Sequence, residues 1–156
     1  MDAERPWVRH DLPWLRSGPL FRVHRSASRE LTEFLDRFPY VRVDLDGRQM
    51  TSRQSAHAEL ARAFGFPEYY GGNWDAFDEC FGDFVEGHDG ELIAVVWDFM
   101  DVAAAAAPAT TAEVGWELLS SQFSFMPSVA SDARSWVWMD AFAIGEGDDF
   151  DRPARQ

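Results

Sequence analysis

Asp75, Asp78, Glu79, Asp83 and Glu86 all fall between residues 75 and 86. Wound as an α-helix at about 100° per residue, they share an arc roughly 140° wide, and Trp74, Phe77, Cys80, Phe81, Phe84 and Val85 take the opposite arc. Carboxylates grouped this way suit three kinds of chemistry. Acid–base catalysis needs two carboxyls facing each other across a cleft, and a single helix face is convex. A tight hard-metal site draws oxygen ligands from several elements, and no Asp-x-Asp-x-Asp-Gly loop is present. The third use is to offer fixed negative charge to a cationic partner.

Other chemical signatures are missing. His10, His24, His57 and His88 show neither His-x-His nor His-Glu-x-x-His spacing. His57 reads as a packed or surface residue in mid-helix. There is no Gly-x-Gly-x-x-Gly and no P-loop. Cys80 is the single cysteine and sits on the apolar arc as a small core residue, which excludes an intrachain disulfide. No catalytic residue, no metal and no cofactor is expected.

The elements that position these acids follow from local signals. Asn73 is an N-cap, and Asp75 in the first turn complements the helix dipole. Gly71-Gly72 permits positive φ where the chain turns into the helix, and Tyr69 and Tyr70 precede it as exposed aromatics. Residues 1–18 read as irregular, anchored by Trp7 and Trp14. Strands are expected at 20–24, 40–45, 91–97 and 136–142, the third apolar enough to be buried on both faces. Helices are expected at 28–38, 52–64 with Gly65 as C-cap, 73–85, 98–107 ending at Pro108, and about 110–123. Residues 126–134 read as loop. Strands alternating with helices give an α/β fold: a small parallel sheet of about four strands flanked by helices. Residues 145–156 read as a disordered acidic tail.

Composition bounds the partner. The 156 residues carry a net charge of −13, which argues against nucleic acid and favours a basic protein. The charge is uneven: residues 1–62 sum to +2 and residues 63–156 to −15. No stretch is long and apolar enough for a membrane span, and no secretory leader is evident. A cytoplasmic protein, monomeric when free, is expected.

The run Pro67-Glu68-Tyr69-Tyr70-Gly71, with Asn73, Asp75, Ala76 and Cys80 at fixed spacing, resembles the barstar family of intracellular ribonuclease inhibitors. The resemblance extends upstream to Val41 through Gly47, Ser52, His57 and Leu60, and downstream to Val95-Val96-Trp97. It implies a barstar-like fold over residues 40–144, with residues 1–39 as an N-terminal extension carrying a strand and a helix, and no enzymatic activity. It also implies that an acidic helix plugs the active site of a basic, extracellular-type ribonuclease or a related toxin, as an immunity protein does. By the same resemblance Tyr69, Gly71, Asn73 and Asp75 are partner contacts, and Glu79 stands where the family has a phosphate-mimicking aspartate. Asp78 replaces a contact tryptophan and Asp83 a small residue, so both join the expected partner-binding set. The competing reading is an acidic interaction or regulatory module with no nuclease target.

Overall fold

A computed structural model describes residues 6–126 and 135–154. Four strands form one parallel sheet: β1 (Leu20–His24), β2 (Tyr40–Asp46), β3 (Leu92–Asp98) and β4 (Trp138–Gly145), in the order β1-β4-β3-β2. Six helices accompany them among the described residues: α1 (Val8–Asp11), α2 (Ser28–Asp36), α3 (Arg53–Phe64), α4 (Trp74–Gly87), α5 (Met100–Ala106) and α6 (Pro108–Ser124).

β3 lies between β2 and β4, and Leu92 through Trp97 are all buried. Its alternate residues feed two cores. Ile93, Val95 and Trp97 join Leu60 of α3, Phe77 and Phe81 of α4, and Val114 and Leu118 of α6 on one face. Ala94 and Val96 join Val8, Leu12, Leu31, Phe34 and Leu35 on the other, with Phe142 and Ile144 of β4. A run of apolar residues is what a strand covered on both sides requires. Residues from the N-terminal stretch thus supply one whole covering layer, and β1 extends the sheet by pairing with β4.

Local chemistry explains where α3 begins and ends. Ser52 and Ser55 form a reciprocal capping box, and Gly65 closes the helix in the left-handed region at φ 71°. Just before α3, the strand-end residues meet closely. Gly47 opens a 3₁₀ turn beside Asp98 and Phe99. Phe99, itself at φ 53°, has two guanidinium groups over its ring, Arg25 at 4.1 Å and Arg48 at 4.2 Å from the centroid. Arg25 also donates to Asp98 at 2.9 Å.

Four expectations need correction. The stretch expected to be irregular contains α1, and its main anchors are Val8, Leu12 and Leu15; Trp14 packs partly buried against the same core, whereas Trp7 is 65% exposed. Tyr70 is only partly exposed. Pro108 starts α6 at its first position instead of merely stopping α5, because a helix N-terminus has no use for the missing N–H. The chain after Gly145 is not a free tail within the described residues. Phe150 is buried, Asp151 bridges Val23, and the Asp151 carboxylate accepts from the backbone N–H groups of Arg16 (3.0 Å) and Ser17 (2.8 Å). Burial raises its pKa, but hydrogen bonds from the Ser17 side chain and from the backbone of Ser17 and Arg16, with the charge of Arg22, together hold it below the usual value. Most of the loop expected at 126–134 lies outside the described residues.

Candidate functional site

α4 carries the acidic face, and its apolar side fixes which way that face points. Phe77, Phe81 and Val85 are fully buried and Cys80 nearly so. Asp75, Asp78, Glu79, Asp83 and Glu86 are all exposed. Burial pushes the Cys80 thiol above its ordinary pKa, which leaves it a poor nucleophile. Among the described residues, no group of three or more His, Cys, Asp or Glu side chains could hold a metal ion. No helix among them is long and apolar enough to cross a membrane.

The start of α4 is built by two residues. Gly72 takes φ 66°, a conformation that a side chain disfavours. Asn73 then accepts from the Ala76 N–H at 2.8 Å through its side-chain oxygen. Asn73→Ala will cost about 1 kcal/mol of stability, the usual worth of such a cap. Urea unfolding measures it, and an unchanged midpoint would show that the cap is dispensable.

The two tyrosines take different roles. Tyr69 is 79% exposed, beside Gly71, Gly72 and Asn73, which are exposed as well. Tyr70 turns inward, and its hydroxyl meets His57 Nδ1 at 2.6 Å. Burial raises the phenol pKa to about 12 and lowers that of His57, with Arg53 adding to the effect and Glu113 opposing it. A neutral imidazole has one nitrogen free to accept, and Nδ1 in that role takes the phenol O–H, while Nε2 is buried with no hydrogen-bond partner among the described residues. The His57 ring lies 4.4 Å from that of Trp74.

α6 adds groups that reading α4 alone does not reveal. Trp74 Nε1 donates to Glu113 at 3.1 Å. Trp116, 68% exposed, lies on the same helical stripe. Glu117 meets Asp78 across the helix pair. Burial first, then the charge of and hydrogen bond to Asp78, then the charge of Asp75, lift the Glu117 pKa from 4.5 to about 7. The i, i+3, i+4 spacing of Glu113, Trp116 and Glu117 was visible in the sequence, but only the packing of α6 against α4 gives it meaning.

The raised pKa fixes a sign. Between about pH 4.5 and about 7 the folded protein holds a proton that the unfolded chain has lost, so this group's contribution to stability falls as pH rises through that window. Glu117→Gln removes the penalty. At pH above 7 the variant will be more stable than the parent by about 1–3 kcal/mol, and near pH 4 the difference will vanish. Urea melts across pH check this, and a constant difference would contradict it.

Fold and face together define a class: small parallel α/β proteins that display carboxylates on a convex helix beside an aromatic loop. The family model described as Barstar (barnase inhibitor) matches residues 40–121, from the first residue of β2 into α6, and so takes in the tyrosine loop and all of α4. The match spans more than half of the chain, and the chain belongs to the barstar family. Among curated proteins none matches it.

Proposed function

We propose that this protein is a non-enzymatic inhibitor that occupies the active site of a basic ribonuclease or ribonuclease-like toxin. The observation that carries the reading is the exposure of Asp75 and Glu79 on a rigidly seated helix, inside the segment matched by a family of ribonuclease inhibitors. A ribonuclease holds its substrate's phosphate with cationic side chains. A carboxylate presented at fixed geometry can take the phosphate's place through charge-assisted hydrogen bonds. Tyr69, Gly71 and Asn73 flank it as loop contacts, and Asp78 and Asp83 widen the negative surface. The excess negative charge of the chain speeds encounter with a basic enzyme. Acting in the cytoplasm, such a protein would shield the producing cell until the enzyme is exported.

The decisive experiment exposes the immobilised protein to the secreted basic ribonucleases of the source cell and assays captured enzymes for inhibition. Saturable inhibition of a captured nuclease is the expected result. Binding of other proteins with no nuclease among them would instead favour an acidic regulatory module.

A further inference from the structure

The stretch that carries Tyr69, Gly71 and Asn73 has little backbone support of its own. Between Gly65 and α4, Phe66 N bonds to Ala61 O at 2.9 Å and Tyr70 N to Pro67 O at 2.9 Å. Gly71, Gly72 and Asn73 are exposed, and two of the three are glycines while the third follows one directly, so little in the backbone restricts them. Yet a docking surface gains affinity from being held in its bound geometry.

Side chains supply the restraint. Tyr70 and Trp74 bracket residues 71–73, and both rest on one residue of α3. His57 is 3% exposed. Its Nδ1 takes the Tyr70 hydroxyl, and its ring meets those of Tyr70 at 5.8 Å and Trp74 at 4.4 Å. The Tyr70 hydroxyl has no other hydrogen-bond partner among the described residues. Trp74 is tied in turn to Glu113 of α6. His57 itself sits in a regular, capped helix packed on the sheet.

We propose that His57 is a positioning residue for the docking loop: it touches no partner, and it fixes Tyr69, Gly71 and Asn73 by clasping Tyr70 and Trp74 at the two ends of that stretch. The proposal rests on the inhibitor reading for what the loop docks against, but not for how the loop is held. Burial favours the neutral imidazole, and either tautomer of a neutral ring can pair its Nδ1 with the phenol.

The test uses the full chain. Backbone ¹⁵N relaxation of the free protein should give order parameters near 0.85 for residues 69–73 and for β3. Tyr70→Phe, which removes only the donor, should drop the loop below about 0.6 while β3 stays rigid. His57→Leu should do the same, and His57→Gln, which restores an acceptor, should recover much of the order. A loop that is already mobile in the parent would overturn the proposal. So would a loop unmoved by Tyr70→Phe, or a loss of order spread equally through β3. A second arm measures binding of a nuclease captured as above. If Tyr70→Phe leaves about one molecule in ten with the loop in place, apparent affinity falls about tenfold, mainly through slower association. Unaltered association would overturn the positioning role. Absence of any bound nuclease would count against the inhibitor reading, while the relaxation data would still decide whether His57 holds the loop.

Discussion

Glu79→Ala will cost a complex with a basic ribonuclease about 2–5 kcal/mol, a loss of roughly thirty-fold to several thousand-fold in affinity, expressed chiefly as faster dissociation. Asp75→Ala will act in the same direction. The family's prototype complex is among the systems that set this range. Most of the penalty comes from the cation left behind in the enzyme: once docked it is dry, and without the carboxylate it has no partner. Folding should survive both changes. Both side chains are exposed, and α4 is held by Phe77, Phe81 and Val85 on its opposite side. Asp75 also favours the helix dipole, so Asp75→Ala should lower stability by about 0.3–1 kcal/mol. Surface plasmon resonance at two salt concentrations separates the parts. Added salt should slow association of the parent, because it screens long-range steering, whereas the Glu79→Ala defect should persist in the off-rate. Unfolding of either variant would show that the face is structural, and full affinity in both would remove the proposed anchors.

Gly47→Ala will destabilise the fold by about 3 kcal/mol or more. A Cβ at Gly47 would lie 2.8 Å from the Asp98 carbonyl oxygen and closer still to the carbonyl of Phe99. Both obstacles are backbone, so no rotamer change relieves the clash. The ends of β2 and β3 would have to part where Asp46 pairs with Asp98, and the Phe99 ring would be pulled away from Arg25 and Arg48. Gly65→Ala is the control. Gly65 has a left-handed φ but no neighbouring atom within 4 Å of an added Cβ, so only the conformational cost remains, about 1–2 kcal/mol. Urea unfolding of the two variants should show the larger loss at Gly47, and equal losses would mean that the strand ends yield readily.

The acidic face was legible because it is local. Asn73, the arc of carboxylates and the opposing aromatics lie within one helix, and their period alone orients them. The caps of α3 and the apolar run of β3 were legible for the same reason. What escaped depends on distant residues. Tyr70 looks as exposed as Tyr69 until His57, thirteen positions earlier, is brought beneath it. Glu117 looks like an ordinary surface acid until α6 lies against Asp78. Asp151 looks like part of an acidic tail until the N–H groups of Arg16 and Ser17 reach it. Pro108 was misjudged for a different reason: a proline that ends one helix can equally begin the next.

The two-layered cover of the sheet also offers a practical handle. α4 packs on one side of the sheet and α2 on the other, so an anchor placed on α2 leaves the acidic face pointing away from a support. Asp36 suits the purpose: it is exposed at the C-terminal end of α2, where a negative charge opposes the dipole and is readily given up. The only native thiol, Cys80, is buried and suppressed. A cysteine introduced at position 36 would therefore react first with a maleimide surface, and every immobilised molecule would present the same side to solution.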